Sequence, residues 1–266
     1  MKKVIVILII NFAGLHFSFG QSSFPCDTVV FGGDMSGPNT PVFDTLKCDI
    51  YTPMGSLVET YAMGGEFTLR ARKYQDSILM IEFPNIDTIH TYDGVSTTRM
   101  FNCHGYAWLR MEQGIDRWIG YFGGKSIPDQ YVYMTDGSYI EVPNETYPGK
   151  VSWVGGDHSA VTTDQSGWVI SKWRDLVLCK HRLDYGYYAT TPDKVKYYIK
   201  NPCTYETPPV NIMNQTINTD QTIEDCRINV QDVNVTNGSE LILDAELETT
   251  IDGDFEIELG SELEIK

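Results

Sequence analysis

Two short blocks carry the side chains with most chemistry to offer: Asn102-Cys103-His104-Gly105-Tyr106-Ala107-Trp108, and further on Gly155-Gly156-Asp157-His158-Ser159-Ala160-Val161. A cysteine is a nucleophile only as its thiolate. Placement at a helix N-terminus favours that form, because unpaired backbone N–H groups and the positive end of the helix dipole meet there. A histidine on a neighbouring strand can take the thiol proton and later return it to a leaving group. The chemistry implied is thiol attack on a carbonyl, with Cys103 as nucleophile and His158 as general base.

These residues need a helix and a sheet to hold them. Residues 101–113 are the best helix candidate: Ala107, Leu109, Arg110, Met111, Glu112 and Gln113 favour helix, and Gly114 ends it. Residues 78–83 read as a strand closed by Pro84 and Asn85, and 153–161, 167–173, 185–188 and 196–199 read as strands separated by turns. One helix followed by consecutive strands predicts an α+β domain.

With that arrangement the Asn-Cys-His-x-Tyr-Ala-Trp and Gly-Asp-His-Ser-Ala-Val blocks resemble those of the cysteine- and histidine-dependent amidohydrolases and peptidases of the papain-like superfamily. The resemblance covers about residues 78–200. It implies a papain-like domain, a helix carrying the cysteine packed on an antiparallel sheet, and cleavage of amide bonds in peptides or cell-wall cross-links. It also implies an oxyanion hole from the backbone N–H of Cys103, with the Asn102 side chain as a second donor. The family orients its histidine with a polar residue on the following strand. Here that strand holds Ser171 and Lys172, and an ammonium cannot accept a hydrogen bond. The candidates are Ser171, His181, Asp175 or a backbone carbonyl, with Ser171 and His181 ahead.

Bland readings stand beside these. A Cys103–Cys179 disulfide would leave no nucleophile. His104, next to the nucleophile on a helix, is expected to point elsewhere as a surface or packing residue, and Tyr106 and Trp108 to pack. A zinc site from Cys103, His104, Asp157 and His158 lacks the usual ligand spacing, so no metal or other cofactor is expected.

The 266-residue chain has a net charge of −16 and a pI near 4.6, which argues against nucleic acid or an anionic membrane as partner. Lys2 and Lys3, the apolar run 4–10 and the small residues around Gly20 read as a signal peptide over residues 1–20, hence an exported bacterial protein, secreted or at the cell surface. Export permits disulfides. Proximity pairs Cys26 with Cys48 and Cys203 with Cys226, leaving Cys103 for chemistry and Cys179 as a buried small hydrophobe.

Residues 21–75, rich in Gly, Pro, Thr and Asp, form an N-terminal extension of loops and short strands. The hydrolase domain spans 76–205. Residues 206–266 form an acidic all-β repeat region, in which Gly238-Ser239-Glu240-Leu241 returns as Gly260-Ser261-Glu262-Leu263, 22 residues on. That period suits a coil of a short β-solenoid, which would serve for surface attachment. The function expected is an exported thiol hydrolase of peptide or peptidoglycan-like substrates. The rival is a catalytically degenerate binding or adhesion protein on the same scaffold.

Overall fold

The computed structural model describes residues 26–29, 45–120 and 129–266. The expected signal segment lies outside them. Among them no helix is long and apolar enough to cross a membrane. The described residues are strand-rich, with three sheets.

The first sheet is a meander of β1 (Cys26–Val29), β2 (Thr45–Tyr51) and β3 (Leu57–Met63), paired antiparallel. Cys26 and Cys48 are directly opposite in that register and form a disulfide. The second disulfide, Cys203–Cys226, is also formed, so both proximity pairings hold, and Cys103 and Cys179 are free thiols.

The expected strand at 78–83 is instead the end of a helix, α1 (Leu69–Glu82), capped by the Thr68 hydroxyl accepting from the Ala71 N–H. Four consecutive apolar residues, Ile78 to Ile81, suggest a strand. Only Leu79 of the four is buried, so the run wraps round a helix instead of filling a sheet. The helix also secures the approach to Cys103. Arg72, fully buried, donates to the carbonyls of Thr97 (2.6 Å) and Tyr92 (2.8 Å) and pairs with Asp93 at 2.9 Å. Asp76 accepts from the Ser96 and Thr97 N–H groups, each at 2.8 Å. One turn of α1 thereby pins the loop that leads into the cysteine helix.

The central sheet has seven antiparallel strands: β4 (Asp87–Thr88), β5 (Tyr139–Val142), β6 (Lys150–Trp153), β7 (Ser159–Thr162), β8 (Trp168–Lys172), β9 (Leu178–Arg182) and β10 (Val195–Lys200), in the spatial order β4-β9-β8-β7-β6-β10-β5. Every residue of β6 and β7 is buried, so both faces of the sheet are covered. One face packs on the cysteine helix through Val161, Leu178 and Tyr198 against Phe101, Ala107, Trp108 and Leu109. The other gathers Val151, Trp153, Ala160, Val169, Leu183 and Val195, with Tyr188 packed on them.

Two expected strands are corrected. The run 153–161 breaks at Gly155 and Gly156, whose φ of +117° and +71° make the turn before His158. Residues 185–188 form turns beneath Trp173, where Gly186 leaves no room for a Cβ.

The cysteine helix begins at Cys103, passes through a π-helical segment, Gly105–Arg110, and ends in α2 (Met111–Gln113). Gly114, at φ +70°, stops it as expected. Asn102 caps the start: its carbonyl accepts from the Tyr106 N–H at 2.8 Å and its Oδ1 from the Gly105 N–H at 2.9 Å. A Cβ on Gly105 would lie 1.8 Å from the Arg117 carbonyl oxygen, so the helix and the returning chain touch backbone to backbone.

The acidic C-terminal region is a four-stranded parallel sheet of β11 (Val210–Ile217), β12 (Gln221–Val235), β13 (Glu240–Ile257) and β14 (Glu262–Ile265), neighbours in sequence and in space. The 22-residue shift read from the sequence is the actual register where Val233 pairs with Phe255, Val235 with Ile257 and Leu241 with Leu263. Elsewhere it is shorter: Val210 pairs with Ile228 and Gln221 with Leu241, and register shifts between Asp225 and Arg227 and between Gln231 and Val233 bring it up to 22. The inward row Ile228, Val230, Val233, Val235 steps across one of them at Asp232. Asn214, Asp232 and Gly253 sit on successive strands there, with φ of +52°, +53° and +72°.

Replacing Gly105 by Ala should destabilise the fold by about 2–4 kcal/mol, because neither backbone can give way cheaply. Urea unfolding monitored by tryptophan fluorescence measures it. A loss below about 0.5 kcal/mol would show that the contact yields.

Candidate active site

Cys103, the first residue of its helix, is buried, and its sulfur meets the backbone N–H groups of Ser159 and His104. These amides and the nearby Lys172 favour thiolate, yet burial outweighs them and pushes the thiol up to about 11. At neutral pH Cys103 is therefore a protonated thiol.

His158, the residue before β7, is fully buried. Neither ring nitrogen has a hydrogen-bond partner among the described residues, Cys103 included. The ring lies parallel to that of Tyr188, with centroids 3.7 Å apart and planes 6° apart, and the Trp153 ring meets it edge-on at 4.6 Å. Burial, with the neighbouring His104 and His181, holds it well below the usual histidine range. The resting pair is neutral thiol and neutral imidazole, not the expected ion pair. The Cys103 sulfur is engaged with the amide of the residue directly after His158, which brings the helix tip to the imidazole's own strand.

His104 packs, one of the two outcomes expected of it, and takes on hydrogen bonds as well. It is buried, and its Nδ1 lies 2.8 Å from the Ser159 Oγ, which also accepts from the Trp108 Nε1 at 2.9 Å. The Gln130 amide nitrogen donates to the Gly156 carbonyl at 2.9 Å and presents its second N–H to the His104 Nε2 at 3.4 Å. Since Nε2 accepts, the ring proton sits on Nδ1 and is donated to Ser159. Burial pushes His104 down to about 3. Trp108, expected only to pack, also ties the cysteine helix to the strand.

The proposed orienting residues serve each other. The Ser171 Oγ lies 2.8 Å from the His181 Nε2, and the His181 Nδ1 donates to the Arg182 carbonyl at 2.8 Å. With both its nitrogens occupied, His181 holds Ser171 on the adjacent strand, and neither is bonded to His158. Register explains the pairing: Ser171 and His181 lie on the sheet face of Val169, which pairs with His181. Asn102 is likewise committed to its cap, and its Nδ2 donates to the Ile119 carbonyl at 2.7 Å while Oδ1 also accepts from the Ile119 N–H at 3.2 Å. The Cys103 N–H lies against its own sulfur.

Sequence reasoning passed over Lys172 except to dismiss it as an acceptor. It is fully buried, donating to the carbonyls of Leu176 (2.6 Å) and Arg174 (3.0 Å) and interacting with Cys103. Burial brings it down to about 7. Its signal was a lysine close to Val169, Ile170 and Trp173 in a strand candidate, where a buried ammonium must find partners. Among the described residues no group of three or more His, Cys, Asp or Glu side chains is arranged to hold a metal ion. Comparison with protein-family models, curated proteins and solved structures returned no significant match, so the site rests on this chain's own residues.

Three buried histidines with lowered proton affinity, His104, His158 and His181, make stability depend on acid. The unfolded chain protonates them near pH 6.5 while the folded chain resists, so below that pH the unfolded state binds more protons and stability falls. Each contributes up to about 1.4 kcal/mol per pH unit within its window, which for His104 runs from 6.5 down to about 3. Thermal melts from pH 7.5 to 4 should show a steep decline below about 6.5, made shallower by His104→Gln. An equal slope in wild type and variant would mean that His104 is protonated in the fold.

Proposed function

We propose that this chain is an exported thiol hydrolase that cleaves amide bonds through Cys103, on a papain-like domain followed by a short β-solenoid. The carrying observation is a free thiol on the first residue of a helix, engaged with the amide next to His158, while both nitrogens of that fully buried imidazole lack partners among the described residues. A buried donor or acceptor without a partner costs about 1–3 kcal/mol, and structures rarely keep one without a use. Helix, antiparallel sheet and the two blocks agree with the resemblance described above. The two disulfides fit an exported protein.

The steps follow from these groups. As the Cys103 sulfur bonds to the substrate carbonyl carbon, its proton passes to His158. The carbonyl electron pair moves onto oxygen, where the Cys103 backbone N–H stabilises it. Collapse breaks the C–N bond, and His158 gives its proton to the departing amine. Water, losing a proton to His158, then attacks the thioester and releases acid and thiol. Substrate class is peptide or cell-wall cross-link, and the parallel acidic sheet supplies a spacer or surface attachment. One observation favours the rival binding role: thiol and imidazole are both sealed from solvent, with His158 fully covered.

The disulfide-intact chain should release amines from an unstructured peptide substrate or purified peptidoglycan. Cys103→Ala and His158→Ala should each lower the rate at least about a hundredfold with the fold unchanged. Release unaffected by Cys103→Ala, or binding without release by wild type, would defeat the hydrolase reading.

A further inference from the structure

A histidine that works as a base needs its ring held in one orientation and its positive charge stabilised once it has taken a proton. Commonly a hydrogen-bond acceptor does both. Here the two side chains expected in that role are bonded to each other, and neither His158 nitrogen has a partner among the described residues. What touches the ring is aromatic. Tyr188 covers one face at 3.7 Å in a nearly parallel stack, and the edge is met by Trp153.

Both contacts are themselves anchored. The Trp153 Nε1 donates to the Tyr188 carbonyl at 3.0 Å, joining the two rings that enclose the histidine. The loop bearing Tyr188 is fastened by Thr190 N–H to the Leu183 carbonyl at 2.9 Å, and Gly186 lies against Trp173 so closely that a Cβ would sit 2.4 Å from the indole. Tyr188 is half-buried, and its hydroxyl interacts electrostatically with Cys103.

We propose that Tyr188 is the positioning residue of the site, fixing the plane of the His158 imidazole by stacking and sheltering its cationic form with the aromatic face. A stacked ring can turn by half a revolution about its Cβ–Cγ bond without leaving its plane, so either nitrogen can be offered while the plane stays set. An aromatic face attracts a cation most strongly where water is excluded. The titratable groups acting on His158 are His104 from the helix and His181 from β9; Tyr188, stacked on it, also feels Cys103, Arg174, Asp157 and Asp175, and among the described residues no carboxylate hydrogen-bonds to the imidazole. The inference rests on the Cys103–His158 reading.

The test is the rate of Cys103 alkylation by chloroacetamide on the native full chain from pH 6 to 11, in wild type, Tyr188→Phe, Tyr188→Leu and His158→Ala. Tyr188→Leu should be about tenfold slower than wild type at pH 7–8 and converge with it near pH 11, where hydroxide removes the thiol proton without help. Tyr188→Phe, which keeps the ring, should stay within about threefold of wild type at every pH. A structural disturbance would shift the rate at all pH values alike, and that result overturns the proposal. So does faster labelling of Tyr188→Leu, which would make the ring a mere cover. If His158→Ala leaves the wild-type profile unchanged, the Cys103–His158 reading itself fails; if only Tyr188→Leu leaves it unchanged, the positioning role fails alone. Should Tyr188→Leu not fold, the ring-proton resonances of His158 decide. A ring-current upfield shift present in both wild type and Tyr188→Phe supports the stack, and its absence in wild type overturns it.

Discussion

The hydroxyl of Ser159 joins the two halves of the site. It receives hydrogen bonds from the Trp108 indole on the cysteine helix and from His104, one residue after Cys103, while its own strand begins one residue after His158. A single oxygen thus fixes the helix tip over the strand start. All of these groups are buried, and loss of the hydroxyl would leave two donors unsatisfied together. Gln130 extends the tie to the turn before the histidine through the Gly156 carbonyl. Asn102 and Gly105 fix the same tip from its other side, the first by capping the helix and the second by letting it meet residue 117 without a side chain between.

The electrostatic state follows from this tight packing. Desolvation opposes charge on each buried group, raising the thiols of Cys103 and Cys179 and lowering His104, His158, His181 and Lys172. The helix-end amides act on the sulfur in the direction expected from its position, and they are outweighed. The resting centre is therefore electrically quiet, and ionisation belongs to the moment when substrate and proton transfer alter it. Lys172 is the cation nearest to an exception, held by two backbone carbonyls and facing the ring of Phe101 at 5.8 Å.

Much of this was legible in the residues. The cysteine helix and its glycine stop, the strands around 168–172 and 195–200, both disulfides and the 22-residue register could be read because each has a local cause: a stop signal, an alternation, a short loop or a repeat. The misreadings have causes that are not local. Ile78–Ile81 became helix because α1 is needed to grip the loop before Cys103, and an apolar run does not reveal its period. His104 and Trp108 gained hydrogen-bonding roles only because a serine from another element arrives between them. Ser171 and His181 read as candidates to orient His158, but strand register, invisible in composition, pairs them with each other. The first parallel strands pair at a shorter spacing with no matching sequence repeat to reveal it.

The left-handed column of Asn214, Asp232 and Gly253 bears on how the acidic region tolerates change. Because each parallel strand copies its neighbour, adding or removing one whole repeat returns every inward aliphatic to its row. Slipping by a single residue sends that row outward and moves the corner onto side chains that resist such a backbone. Length in this part of the molecule is quantised, so its natural variation should come in whole rungs, with reach changing and the interior staying the same.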